Sequence, residues 1–201
     1  ALRRSALGVI RIIVGGKLNL PLATVLQAAA KGYGFAAVDV DLLPFIRDRL
    51  RGYLRDQQMR HDVVAAALAD ADGDDVRLMA ARATALAAFL TAPDGDGLMA
   101  GWRRVSSILA SEEKKANRAF VASSDSTLFN DIEQALFKPL SKIPDSYAGV
   151  DAQLAALGSL RFPIDVFFDK IVVNDDDPKV RLNRLGLLAM IREKMLAVAD
   201  F

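Results

Sequence analysis

Asp177-Pro178, close to the last residue of the chain, restricts what this sequence can fold into more than any other feature. The aspartate supplies a side-chain acceptor at an N-cap, and the proline ring suits the first helical position, where an N–H would find no partner. After it, Val180, Leu185, Leu188, Ile191, Met195 and Val198 recur at helical spacing and form one long apolar stripe. Asp175 to Asp177 place negative charge at the start of that helix, where its dipole favours it. Arg181 and Arg184 lie one turn apart, so both guanidinium groups can serve a single surface. Just upstream, Phe162, Val166, Phe167, Ile171 and Val172 make a short aromatic-rich segment able to pack on the stripe.

The rest of the chain also reads as helices. Leu2 to Val14 is amphipathic and is stopped by Gly15-Gly16, and Leu20-Pro21 opens an alanine-rich helix that ends near Gly32 to Gly34. Val40 to Gln58 is a strong helix, with Leu43, Ile46, Leu50, Tyr53 and Leu54 inward and Arg47, Arg49, Arg51 and Arg55 mostly outward. Pro44 is compatible with it only in the first turn. Asp62 is expected to cap a helix from Val63 to Ala69, with His61 in the turn before it. The stretch from Ala69 to Asp75 is a short acidic loop, and Asp75 to Ala92 is a helix with Val76, Met79, Ala83, Leu86 and Leu90 inward. APDGDG, Ala92 to Gly97, is a turn cluster. In the stretch from Leu98 to Phe120, Trp102, Val105, Ile108 and Leu109 suit a buried face. A helix from Asp125 to Lys138 ends before Pro139, Pro144 to Ala148 is a loop, and Val150 to Leu160 is a short helix.

A hydrophobic share of 52% over 201 residues supports a packed core, as one domain with an appendage or as two small domains. No run approaches the roughly eighteen apolar residues of a membrane span. The chain has no cysteine, which removes disulfides and thiolate zinc sites and is compatible with a reducing cytoplasm. It opens at Ala1 inside a helical pattern with no signal-type leader, so a piece of something longer is expected. A net charge of +1 means that any RNA-binding surface is a local patch.

Four stretches carry a family resemblance: FFDKIVVN (Phe167 to Asn174), DDP (Asp176 to Pro178), NRLGLL (Asn183 to Leu188) and VADF (Val198 to Phe201). To these are added Phe45-Ile46-Arg47-Asp48-Arg49-Leu50, Arg60-His61-Asp62 and Arg103-Arg104-Val105-Ser106-Ser107-Ile108-Leu109. Together they resemble the end of the β chain of the two-subunit bacterial glycyl-tRNA synthetases, which closes in an all-helical anticodon-binding domain named for an Asp-Ala-Leu-Arg motif. At that motif the chain reads Pro178-Lys179-Val180-Arg181, keeping only the arginine, and Ser107 stands where the family pattern has asparagine. The opening ALRRSALGVIRIIVGGKLNLPL is similar to the segment preceding that domain, so a boundary is expected near Val38. Residues 1–38 would be the end of a preceding domain or a linker, and 39–201 the anticodon-binding helical bundle, of the class seen in arginyl- and glycyl-type synthetases.

The resemblance implies recognition of the anticodon arm of glycine tRNA, within an enzyme that joins glycine to its tRNA using ATP in the cytoplasm. Catalysis, with ATP and magnesium, would belong to a separate α chain in an α2β2 assembly, leaving no cofactor on this segment. The basic residues expected to meet tRNA are Arg103, Arg104, Lys114, Lys115 and Arg118, with Lys170, Arg181, Arg184, Arg49 and Arg60. Phosphate contacts would position the arm, while bases splayed from its loop would be read by their edges.

Other chemistries find little support. His61 is the only histidine, so a histidine-aspartate metal phosphohydrolase has no ligand shell. Gly15-Gly16-Lys17 lacks the flanks of a phosphate-binding loop, and Ser106-Ser107 has no nucleophile-elbow sequence around it. Trp102 beside apolar neighbours reads as core, although an exposed tryptophan would stack on bases. The arginines of Val40 to Gln58 read as a solvated face paired with Asp48 and Asp56, or as a phosphate-facing stripe. For the whole chain the second reading is a helical scaffold that holds subunits together without touching RNA.

Overall fold

Leu2–Gly15 forms α1 because Ala6, Ile10 and Ile13 share one side of the helix and are buried together. The computed structural model describes residues 1–35, 42–68, 74–144 and 149–199, and these divide into two compact units, one within Ala1–Ala87 together with Ala199 and one within Ala88–Val198. The boundary expected near Val38 lies outside the described residues, as do 69–73 of the acidic loop and 145–148.

In the first unit α2 (Leu22–Gly32) follows α1. Pro21 offers no side-chain cap, so the start of α2 is satisfied from a distance: Ala23 N donates to Asp74 Oδ2 at 2.7 Å and Leu22 N to the Asp74 carbonyl at 3.2 Å. α3 (Leu42–Asp56) buries Ile46, Leu50 and Leu54 and packs on α1 and on α4 (His61–Leu68). Pro44 sits in the first turn of α3, as its missing N–H requires. α4 begins at His61 rather than at Val63, so the histidine is helical; Asp62 still accepts from Val63 N at 2.9 Å. α5 (Val76–Thr91) starts on Asp75, whose carboxylate accepts from Leu78 N at 2.9 Å.

The second unit holds the end of α5 and five further helices, α6 (Pro93–Ala116), α7 (Asp131–Ser141), α8 (Val150–Gly158), α9 (Arg161–Lys170) and α10 (Pro178–Leu196). The expected turn at Ala92 to Gly97 is instead the beginning of α6, with Pro93 in the first helical turn beside Asp94 and Asp96. The glycines of α6 serve packing: a Cβ on Gly101 would lie 2.7 Å from Ile164 Cγ2, so its absence lets α9 come close. α6 ends at Ala116, where Asn117 takes the left-handed conformation.

α7 begins at Asp131, six residues later than expected from Asp125, because Asn130 and Glu133 form a capping box. Asp125 caps only a 3₁₀ turn, Ser126–Leu128. Pro139 lies inside α7, not beyond it, in the last turn where one lost hydrogen bond is tolerated. α9 packs on α6 and α7, burying Ile164, Phe167 and Phe168, and leaves Phe162 exposed, whereas the sequence suggested packing on the stripe of α10.

α10 follows the Asp177 cap as expected, with Lys179 N donating to Asp177 Oδ1 at 2.8 Å. It packs on α6 and α7, and every residue from Asn183 to Ala189 is buried. A stripe alone would leave half the helix wet; here small or internally bonded residues fill the other side. The described residues are α-helical apart from loops, the 3₁₀ turn and an isolated bridge between Pro21 and Asp75, so the fold is all-α. None of the described helices is long and apolar enough to cross a membrane.

Candidate nucleic-acid interface

α6 turns Leu98, Trp102, Val105 and Leu109 inward, which forces Arg103, Ser107, Ser111 and Lys114 to the outer side. At about 1.5 Å of rise per residue, Arg103 and Lys114 stand roughly 16 Å apart on nearly the same face. Neither has an ion-pair partner among the described residues. Arg118, just past the helix, is exposed with its guanidinium 5.7 Å from the Phe120 ring centre. The stripe Arg103, Ser107, Ser111, Lys114 therefore combines cations with short hydroxyls, both suited to phosphate oxygens. Trp102 is only 7% exposed and belongs to the core, so it is no stacking platform.

Arg104 and Lys170 meet at a second place. They line a cleft of about 320 Å³ with Phe168, Ile171 and Asn174, and Arg104 stacks 4.5 Å from the Phe168 ring centre while donating to its carbonyl at 3.4 Å. Lys115, Arg118 and Arg181 share a cleft of about 530 Å³ with Phe120, Leu182 and the acids Glu112, Asp175 and Asp176.

Arg181 and Arg184 do not form a common outward pair. Arg181 bonds Glu112, which is 3% exposed and also receives Lys115 Nζ at 2.7 Å. These hydrogen bonds, from Lys115 first and then Arg181, hold the Glu112 carboxyl below its ordinary value of 4.5. Arg184 is buried and donates to Glu133 Oε1 and Asp175 Oδ2, both at 2.6 Å, and to the Val172 carbonyl at 2.9 Å. Burial pulls its pKa down, and the two carboxylates outweigh that, leaving it raised.

Arg49 and Arg60 lie in the first unit. Arg49 is paired with Asp48 at 2.6 Å and Arg60 with Asp62, both within one or two residues along the chain.

Two structural residues escaped the sequence reading. Arg192 donates to Glu113 Oε1 at 2.8 Å and to the Phe120 carbonyl at 2.6 Å, and Asn183 brackets Asp125, accepting from its N–H at 2.6 Å and donating to its carbonyl at 3.0 Å. Burial raises the Glu113 carboxyl, but Arg192 and the Phe120 N–H outweigh it and leave it lowered. The signal was the polar residue recurring inside an apolar helix, at positions 183, 184 and 192. Among the described residues no group of three or more His, Asp or Glu is arranged to hold a metal ion.

Comparison with known proteins shows where this sequence recurs. Residues 1–69 match the family described as glycyl-tRNA synthetase beta subunit. The glycine–tRNA ligase beta subunit of Ruegeria sp. (strain TM1040) is 39% identical over 207 aligned positions, covering 100% of this chain. The chain spans 30% of the length of that curated relative. Matched at its start by the family and along its whole length by a curated member, the chain belongs to the glycyl-tRNA synthetase beta-subunit family.

Proposed function

We propose that this chain is the part of a glycine–tRNA ligase β chain that binds the anticodon arm of glycine tRNA, while the ligase reaction, with ATP and magnesium, belongs to an α chain assembled with it as α2β2 in the cytoplasm. The observation that carries this reading is the outer stripe of α6, where Arg103 and Lys114 are exposed and have no ion-pair partner among the described residues. Arg118 adds an exposed cation just past the helix, and Arg104 with Lys170, beside Asp169, lines a second cleft in the same unit. Cations left unpaired on a face rich in hydroxyls contribute little to folding, but each can release a counterion on meeting a phosphate. Arg181 and Arg184 support the surface from below by fixing Glu112, Glu133 and Asp175; Arg181, 42% exposed at its side chain, keeps access to solvent.

One observation favours the scaffold reading instead: Arg181, Arg184 and Arg192, all on α10, are engaged inside the fold. A salt series separates the two. Glycine tRNA and an anticodon-swapped control are titrated against the chain and against Arg103→Glu/Lys114→Glu. Preference for the native anticodon, together with a salt slope that falls by about two in the variant, supports recognition. Equal binding of both RNAs, unchanged by the substitutions, leaves the scaffold.

A further inference from the structure

The first unit carries a groove of about 670 Å³ between α3 and α4 that the anticodon reading does not use. Arg49, Arg51, Arg55 and His61 line it, and Asp48 is the only acidic residue among the described residues of its wall. Its floor is low, because Gly52 has no side chain and Ala65 and Ala66 have short ones. Asp48 is spent on Arg49, whose guanidinium also rests 5.1 Å from the Phe45 ring centre and is thereby held at the rim.

Arg51 and Arg55 are exposed and have no ion-pair partner among the described residues. They stand at i and i+4 on α3, a like-charge spacing that costs helix stability unless an anion comes between. A solvated face would place acids at those intervals; this groove places two free guanidinium groups and an imidazole around an open channel. Guanidinium forks match phosphate oxygens in pairs, and the imidazole adds a further donor.

We infer that the α3–α4 groove is a binding site for the phosphodiester backbone of RNA, distinct from the anticodon-arm surface of the second unit and indifferent to base sequence. It rests on the reading of the chain as tRNA-binding, and it adds a contact that supplies affinity without discrimination. Arg51 and Arg55 would grip adjacent phosphates, with Arg49 and His61 at the flanks.

The test uses the 201-residue chain with glycine tRNA and the anticodon-swapped tRNA across a salt series. Arg51→Glu/Arg55→Glu is compared with Arg3→Glu/Arg4→Glu, which changes net charge equally on the exposed start of α1, and with Arg51→Lys/Arg55→Lys. Helix content and melting temperature are followed for all three. The expected result is a loss of about tenfold or more in affinity for both RNAs with the groove reversal, and a salt slope lower by about two. The α1 variant should lose much less, and the lysine variant should retain most of the binding. Equal losses in the groove and α1 variants overturn the site, and so does the absence of RNA binding by the unmodified chain. If the unmodified chain binds both tRNAs alike and the groove reversal alone abolishes it, the groove stands and the anticodon reading falls.

Discussion

Arg184 Nε lies 2.6 Å from Glu133 Oε1, joining two buried side chains from α10 and α7 that are 51 residues apart. The same guanidinium reaches Asp175 and the Val172 carbonyl, so it ties the loop before α10 to the helix itself. Removing one member of such a pair strands the other charge in the interior. Arg184→Ala or Glu133→Ala is therefore expected to cost about 3–5 kcal/mol in urea unfolding. Arg184→Met with Glu133→Leu should recover most of that loss. A single substitution within a few tenths of wild type would show the pair to be idle.

Gly186 is the point of closest approach in the second unit. A Cβ there would fall 1.8 Å from the Ser123 carbonyl oxygen, which is backbone and cannot rotate away. Gly186→Ala should destabilise by at least about 1–3 kcal/mol, the range for overpacking. Gly101→Ala, which meets a side-chain methyl of Ile164 at 2.7 Å, should cost less because that side chain can shift. Thermal melts of both variants check the order.

Acid should loosen the α6–α10 contact in a defined direction. Glu112 and Glu113 both have folded-state values lowered from 4.5, so their contribution is complete above that pH and is lost as the pH falls through the lower folded values. Unfolding free energy should decline as pH drops below 4.5 in the wild type. In Glu112→Gln/Glu113→Gln the decline should be shallower, from a lower stability at neutral pH. Parallel curves for the two proteins would remove these carboxylates from the account.

Trp102 gives a direct optical check on where RNA does not bind. Being 7% exposed in the core of the second unit, it should emit at short wavelength and resist quenching by added iodide. Saturating tRNA should leave that emission nearly unchanged. Strong quenching by RNA would mean that a base stacks on the indole.

The helices were largely legible in the residues, because apolar periodicity and capping chemistry are local properties. The Asp177-Pro178 start, the burial of Leu185, Leu188, Ile191 and Met195, and Pro44 in a first turn all follow from a few neighbours along the chain. The misreadings share a cause. Ala92 to Gly97 has the composition of a turn, yet it begins α6: Pro93 suits the first helical turn, and Gly97 lies against Arg161 of α9, a neighbour that local spacing does not reveal.

The candidate surface divides the same way. Residue order alone placed Arg103 and Lys114 on the outer face of α6, since the apolar residues around them face inward. It also placed Arg181 and Arg184 one turn apart, but whether those two cations face solvent or the interior depends on acids 69 and 51 positions away. Glu112 and Glu133 arrive there only when α6, α7 and α10 pack. Helix formation, set by contacts within a turn or two, was determined by the sequence itself. The partner of each arginine, set by which helices meet, was decided only by the tertiary structure.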